Sequence, residues 1–359
     1  METTATRPAR ASSGLRRLMG MAEERATDGA AAPGPGAVPV GPRGLRRAMG
    51  FREGTTILLV LLIAAGMSVA SPFFLTGENI TTTVQSFSID GFVVIAMTIV
   101  LISGGIDLSV ASVMALAGVL TGVLFRSGLD IWLASAAGLG VGVVVGALNG
   151  FFITRLGLSP FITTLALQQI ARGAAYVISG GVPVPLSNLP PQFKFMGRGT
   201  IGGTGIPFAI VLFLAVVAIF DFMSRRSTVV RKVYYVGSSE KAARLSGIDV
   251  SRVRMGVYLL SGLLAGIAGI LTISRFNSAT SYYGVGVDLK AISACVIGGA
   301  SLNGGEGTIL GSIIGITLMS VIASSLVLLD VSPYWQDLTM GLILLAAVSI
   351  DYLSHMRRK

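Results

Sequence analysis

Long apolar runs separated by short polar stretches begin near residue 55 and continue almost to the end of the chain. A helix needs about 20 apolar residues to span the hydrocarbon core of a bilayer. The pattern predicts ten membrane-spanning helices, at residues 55–73, 87–103, 108–125, 131–153, 160–179, 206–223, 255–274, 288–300, 307–328 and 334–353. The eighth run is short, and we expect broken helices at the second and eighth runs. The predicted fold class is an all-α polytopic membrane protein.

The polar segments around these runs define the predicted domain organisation. Residues 1–50 are rich in Ala, Gly, Pro and Arg and cannot bury a core, so they are predicted to form a disordered tail. Residues 51–355 form the predicted transmembrane domain, and 356–359 a second short tail. The one long polar insertion within the domain covers residues 224–254.

Composition and charge placement agree with this division. The chain is 52% hydrophobic and only 12% charged, whereas soluble domains carry about 25% charged residues. The formal net charge is +10, but the basic residues concentrate in the two tails and in the 224–254 insertion. Positive charge accumulates in this way in cytoplasmic segments of membrane proteins. The distribution therefore predicts cytoplasmic termini and argues against nucleic-acid binding.

Glycines recur at every fourth position in two of the predicted spans. This spacing gives one helix face a smooth surface that another backbone can approach closely. We expect helix packing at both stripes, which are formed by Gly138, Gly142, Gly146 and Gly150, and by Gly307, Gly311 and Gly315.

The insertion contains a short polar helix whose two ends are marked. In "GSSEKAARLSGI", residues 237–248, Ser239 is a suitable N-cap, and Glu240 lies in the first turn. Gly247 suits the left-handed position after the last turn.

Sequence chemistry argues against an enzyme. The chain has no Gly-Lys dipeptide and hence no Walker A loop, and it has one histidine, His355, and one cysteine, Cys295. We expect no catalytic residue, cofactor site or metal site. The acidic residues lie near the predicted span ends, whereas ion-coupled carriers keep such groups in mid-membrane. An external energy source is therefore the favoured interpretation, and an ion-coupled secondary transporter is the alternative.

Arg172 lies inside the fifth predicted span, where an unpaired charge is costly. Pairing with a carboxylate or with backbone carbonyls is the favoured interpretation, and contact with a solute is the other.

Four stretches carry a resemblance to a known family. They are "GGIDLSVASVMALAG" (104–118), "SPFITTLALQQIARGAAYVISGG" (159–181), "YYVGSSEKAARLSGIDVSRVRMGVYLLSGLLAGIAGI" (234–270) and "GVDLKAISACVIGGASLNGGEGTILGSIIG" (286–315). With the spans between them, they resemble the permease subunits of bacterial ABC importers for ribose, xylose, arabinose and autoinducer-2. The chain departs from that family at Ser238-Ser239, at Ala111, and at Lys290, where an acidic residue is usual.

The resemblance implies a type II-like importer permease in the bacterial cell membrane. Its implied partners are an ABC ATPase subunit, an extracellular or periplasmic sugar-binding protein, and a second copy or a homologous permease. The implied solute is a monosaccharide, with a nucleoside or autoinducer-2 as alternatives. The polar helix of the insertion is similar to the family's coupling helix, which docks on the ATPase; this assigns ATPase coupling to Gly237, Ser239, Glu240, Ala242, Ala243, Leu245, Ser246, Gly247 and Ile248.

A path for a sugar needs neutral donors and acceptors with apolar or aromatic surface between them. Neighbouring residues diverge by about 100° around a helix, so only one of Gln168 and Gln169 is expected to face such a path. The candidate path residues are Asp107, Ser109, Asn149, Phe161, Thr164, Gln168 and Asn303.

Overall fold

The computed structural model describes residues 42–202 and 204–356. Most of the predicted N-terminal tail, up to residue 41, and the last three residues lie outside the described part. The described helices are α1 (Pro42–Ala70), α2 (Gly77–Ile102), α3 (Val110–Arg126), α4 (Ile131–Thr154), α5 (Pro160–Ser179), α6 (Pro191–Arg198), α7 (Phe208–Arg226), α8 (Thr228–Ser238), α9 (Glu240–Leu245), α10 (Val250–Phe276), α11 (Val287–Ile297), α12 (Ile309–Leu328) and α13 (Pro333–Met356).

Each predicted span corresponds to one of these helices. Within the described residues, six helices are long and apolar enough to cross a membrane, namely α1 from Glu53 onward, α2, α4, α7, α10 and α12. The α3 helix is a shorter apolar helix of 17 residues. The chain is therefore an all-α multi-pass membrane protein, as the apolar pattern predicted.

The second predicted span is not broken. The α2 helix runs without interruption for 26 residues, and Thr76 caps it by accepting a hydrogen bond from the Asn79 amide. It begins ten residues before the apolar run, because its first turns carry polar side chains that hydropathy does not register. Asp90 consequently lies in the middle of α2 rather than near its end, which corrects the placement inferred from the apolar pattern. The eighth span is short, as expected, since α11 has 11 residues.

The core of the bundle is formed by α2, α3 and α10. All residues from Gly91 to Ile102 in α2 are buried, as are most of α3 and α10. The α4 helix packs against α10 through the first glycine stripe. A Cβ atom on Gly142 would lie 2.5 Å from the carbonyl oxygen of Gly262, and one on Gly262 would lie 2.1 Å from that of Gly142. The predicted packing role of this stripe is confirmed.

The second glycine stripe joins α12 to α11. A Cβ atom on Gly315 would lie 2.0 Å from the carbonyl oxygen of Ala294, and one on Gly311 would lie 2.1 Å from that of Gly298. The packing prediction is confirmed for Gly311 and Gly315, whereas Gly307 lies in the turn before α12 with φ of 144°. The C-terminal end of the short α11 thus lies close to the backbone of the longer α12.

Exposed aromatic residues mark both ends of α13. Tyr334 and Trp335 are 86% and 61% exposed at its start, and Tyr352 is 63% exposed near its end. Tyr352 lies 18 positions after Tyr334 on the same helix, which at ~1.5 Å per residue is about 27 Å. This separation fits two aromatic belts at the two surfaces of a bilayer.

One end of the bundle carries structure that the apolar pattern missed. Residues 184–185 (β1) and 278–279 (β2) pair antiparallel, with Val184 opposite Ala279. The α6 helix buries Phe193 there, edge-on to the Trp132 ring at a centroid distance of 5.9 Å. The opposite end of the bundle carries α8 and α9; the two ends are called the α6 end and the α9 end below.

The α4–α10 contact predicts a position-specific effect of one added methyl group. Gly262→Ala should destabilise the folded protein by about 1–3 kcal/mol, since the new Cβ overlaps the backbone of α4. Thermal unfolding of the purified protein in lipid nanodiscs measures the change.

Gly256→Ala on the same helix is the matched control, because nothing lies within 4 Å of the Cβ position there. Equal unfolding temperatures for the two variants would contradict the close approach of α4 and α10.

Candidate functional site

The polar helix predicted in the 224–254 insertion is α9. Ser239 is the only residue between α8 and α9; its backbone is extended, and its Oγ accepts a hydrogen bond from the Ala242 amide at 3.3 Å. At the other end, Gly247 adopts the left-handed conformation with φ of 77°. The Ile248 amide donates to the Ala243 carbonyl at 3.0 Å. Both predicted caps are confirmed.

The two faces of α9 differ from the predicted ones. Ala243 is 3% exposed and packs against Val236 and Val250, so it holds α9 to the bundle and does not belong to a free apolar face. Ala242 lies on the exposed face. Leu245 is 82% exposed and is the only large apolar side chain that α9 presents to solvent.

Glu240 is likewise turned toward the protein. Its two carboxylate oxygens accept from Arg244 at 2.7 Å and from Arg254 at 2.8 Å. The hydrogen bond from Arg244, supported by the charge of Arg254, lowers the pKa of Glu240 below its ordinary value. Because Arg254 lies at the start of α10, this carboxylate joins α9 to a core helix.

Three backbone segments contact one another close to the start of α9. We name this contact the glycine junction; it is formed by Gly104, by Gly237, and by Gly304 with Gly305. The Gly305 amide donates to the Ile102 carbonyl at 2.9 Å. A Cβ atom on Gly237 would lie 1.8 Å from that same oxygen. A Cβ atom on Gly304 would lie 2.8 Å from Gly104 Cα. The last turn of α8 therefore touches the turns that follow α2 and α11.

The turns that directly follow α2 and α11 have the same construction. After α2, Gly104 is left-handed and the Gly105 amide donates to the Val100 carbonyl at 3.1 Å. After α11, Gly299 is left-handed and the Ala300 amide donates to the Cys295 carbonyl at 2.8 Å. Both are Schellman-type helix ends. The two turns are thus structurally equivalent, with Gly104 corresponding to Gly299.

A buried polar network follows the first of these turns. Asp107 is 1% exposed; it accepts from the Ser109 amide and hydroxyl at 3.0 and 2.6 Å, and from the Ser261 hydroxyl at 2.7 Å. Asn149 donates to the Ser109 hydroxyl at 2.8 Å. The network joins the α2–α3 turn to α4 and α10. It brings together three predicted path residues and assigns each a structural contact.

Of the other predicted path residues, Thr164 is buried, and its hydroxyl lies 3.4 Å from the carbonyl of Ile106, next to Asp107, whereas the remaining three lie apart from this network. Thr164 donates to the Pro160 carbonyl at 2.9 Å, within its own helix. Gln168 donates to Asp288 at 2.9 Å. Phe161 is 52% exposed, and Asn303 lies exposed in the turn before α12. The assignment of a transport role to these residues stays a prediction.

Two internal charges have protein partners. Arg172 donates to the backbone carbonyls of Ser281 and Tyr283, the latter at 2.9 Å, which confirms the favoured structural pairing. Lys290 forms an ion pair with Asp90 at 2.8 Å, linking α11 to the middle of α2. The charge that departs from the family pattern at Lys290 is therefore balanced within the chain.

Two residues of α10 contribute to this region without having been predicted. Ser261 binds Asp107, and the hydroxyl of Tyr258 lies 3.4 Å from the Ile106 carbonyl. Tyr258 also leaves no room for a side chain at Gly105, since a Cβ atom there would lie 2.5 Å from its hydroxyl. Tyr258 and Ser261 are polar residues three positions apart in a largely apolar span, and this spacing was the sequence signal that could have identified them.

These features define a class: a multi-pass helical membrane protein with one capped polar helix fixed at one end of the bundle. Residues 79–348 match the family model described as branched-chain amino acid transport system / permease component. The chain belongs to this family of ABC transporter permeases.

Its relatives include permeases whose names state the sugar that they transport. The chain is 40% identical over 295 residues to the L-arabinose transport system permease protein of Escherichia coli strain K12, which covers 82% of this chain and 88% of that protein. It is 37% identical over 308 residues to the ribose import permease protein of Bacillus subtilis strain 168, which covers 86% of this chain and 94% of that protein.

From the close contacts in the glycine junction, we expect that one methyl group added at Gly237 would push apart the turns that follow α2 and α11. In Gly237→Ala, the added Cβ would displace Ile102 or Gly305 and weaken the hydrogen bond between them. Amide hydrogen exchange in residues 300–308 should accelerate by about tenfold or more, since overpacking of about 1–3 kcal/mol corresponds to that range.

Ser238→Ala is the control, because it removes a hydroxyl while keeping the Cβ in place. Unchanged exchange in Gly237→Ala, with the helix content of the native protein, would mean that the junction does not hold the turns together.

Proposed function

We propose that this chain is the permease subunit of an ABC importer for a monosaccharide of the ribose, xylose or arabinose kind. The observation that carries the proposal is α9: a capped helix, anchored to the bundle by Ala243 and Glu240, that presents one exposed leucine. Such an element suits docking in a groove of a soluble partner. The sugar class is supported by the similarity to an L-arabinose transport permease and a ribose import permease.

The α9 end is the cytoplasmic end in this proposal. Basic side chains concentrate there, and positive charge accumulates on the cytoplasmic side of membrane proteins. They are Arg225, Arg226, Arg231, Lys232, Lys241, Arg244, Arg252 and Arg254. Both chain termini would then lie in the cytoplasm, and a binding protein would deliver the sugar at the α6 end. A second permease copy or a homologous permease would complete the path.

Movement of α9 would reach the core through a short series of contacts. The α9 helix follows α8 after one residue, and Gly237, the next-to-last residue of α8, lies in the glycine junction. The turn after α2 leads from the junction to Asp107, whose network reaches α4 and α10. A displacement driven by the ATPase at α9 would therefore act on the backbone turns of two spans at once.

Uptake into proteoliposomes tests the importer assignment. With the cognate ATPase and binding protein, uptake of radiolabelled ribose, xylose or arabinose should require ATP and all three components. The purified chain alone should hydrolyse no ATP.

Two results would contradict this assignment. Uptake by the chain alone under an imposed proton or sodium gradient would establish the secondary-transporter alternative. Capture of a nucleoside or autoinducer-2, rather than a sugar, by the cognate binding protein would exclude the sugar class.

The exposed leucine of α9 gives a second test. Leu245→Asp should weaken binding of the ATPase subunit by roughly thirtyfold or more, about 2 kcal/mol, if this side chain is the apolar anchor of the contact. Binding of the purified ATPase to the permease in nanodiscs measures the affinity.

Val229→Asp is the control, since Val229 is 65% exposed on α8 outside the proposed contact. Equal ATPase affinities for the two variants would remove Leu245 from the docking surface.

A further inference from the structure

Gln169 lies at the midpoint of α5 with its side chain exposed. It makes no hydrogen bond to any residue that the structure describes. Its neighbour Gln168 points in a direction about 100° away and is partly buried against Asp288. The two glutamines therefore face different surroundings, and the free amide is the one at position 169.

No other described side chain combines these properties. In the central halves of the ten helices that correspond to the predicted spans, the remaining described amide and charged side chains are buried or partly buried. Asp90 and Lys290 pair with each other. Asn149 and Asp288 are buried and hydrogen-bonded to neighbours. Gln169 is the exception, so its exposure is not a general feature of the bundle.

Hydrocarbon cannot satisfy this group. A primary amide has two N–H donors and one carbonyl acceptor, and lipid tails offer no partner to any of them. An apolar residue at this position would face lipid without penalty, as Leu61 does at 60% exposure within α1. In the proposed importer, α5 is the fifth predicted span, so the face of α5 that carries Gln169 must meet a polar surrounding rather than lipid tails.

The surroundings of Gln169 leave room for a solute. Ala166 and Gly173 lie one turn away on either side, both exposed, and nothing lies within 4 Å of the Cβ position of Gly173. Two turns toward the α6 end, Tyr176 makes an edge-on contact with Tyr282, which is 69% exposed. An amide beside small residues and an exposed aromatic pair suits the hydroxyls and apolar ring faces of a monosaccharide.

We propose that this face of α5 lines the translocation path and that Gln169 is a specificity-determining residue which exchanges hydrogen bonds with the hydroxyls of the passing sugar. The assignment rests on the proposed importer function. It replaces Gln168, whose amide is engaged by Asp288, as the path glutamine of α5.

The reactivity of a single cysteine tests whether water reaches the face of α5 that carries Gln169. In a Cys295→Ala background, Gln169→Cys in the assembled complex should react with a charged, water-soluble thiol reagent. Leu61→Cys is the lipid-facing control and should stay unreactive. Failure of Gln169→Cys to react, at the level of the Leu61→Cys control, would overturn the inference. Efficient disulfide formation between two permease copies at position 169, without labelling, would also overturn it, because the face would then be a subunit contact.

Transport measurements test contact with the sugar. Gln169→Leu should reduce sugar uptake by about tenfold, the value of one lost hydrogen bond, while ATP hydrolysis stimulated by the binding protein is retained. Ile170→Leu, at the adjacent exposed position, should transport normally. Normal uptake by Gln169→Leu would contradict the specificity role.

The importer assignment and the proposed role of Gln169 can be refuted independently of each other. If the native complex transports no sugar, the importer assignment fails, and cysteine labelling still reports whether the face is wet. If the native complex transports and position 169 is unreactive, only the role of Gln169 fails.

Discussion

The hydrogen bond from the Gly305 amide to the Ile102 carbonyl is the contact on which the α9 end depends. It joins the turns after α2 and α11, and Gly237 packs against the bonded atoms with no side chain between them. Because α9 has six residues, it lacks the length to be stable alone. Its position is fixed by its connection to α8 at this junction, by the buried Ala243, and by the ion pair of Glu240 with Arg254 of α10.

The apolar pattern predicted a helix at each of its ten runs, because each buried or lipid-facing helix must carry an apolar stretch. It misplaced the start of α2, since residues 77–86 are polar yet helical and capped by Thr76. It could not foresee β1, β2 and α6, whose stability comes from packing of residues such as Phe193 against Trp132. The two caps of α9 could be predicted from the sequence, because Ser239 and Gly247 stabilise the helix ends through contacts with residues close to them in the chain.

The contacts within the candidate sites were less predictable. A six-residue helix is too short to show a period, so nothing in the sequence distinguished the buried Ala243 from the exposed Leu245. Lys290 and Asp90 are 200 positions apart, and only the folded chain brings them together. The choice between Gln168 and Gln169 likewise depended on the position of Asp288, a residue on a different helix.

The buried acidic residues change the argument against ion coupling. Asp107 and Asp288 are 1% and 6% exposed, and Asp90 lies mid-helix, so carboxylates are present inside the bundle. Each has a partner: hydroxyls for Asp107, an amide for Asp288 and an ammonium group for Asp90. The case for an importer powered by a separate subunit therefore rests on family membership and α9, not on missing carboxylates.

The single extended residue between α8 and α9 has a mechanical consequence. Ser239 is the N-cap of α9 and has no loop on either side, so the connection between the two helices allows almost no relative movement. The α8 helix, with 11 residues and a length of about 16 Å, would act as a stiff lever that contacts the glycine junction through Gly237 near its end. A rigid connection transmits small displacements of α9 to α8. Inserting even one residue beside Ser239 would make the connection between the two helices flexible.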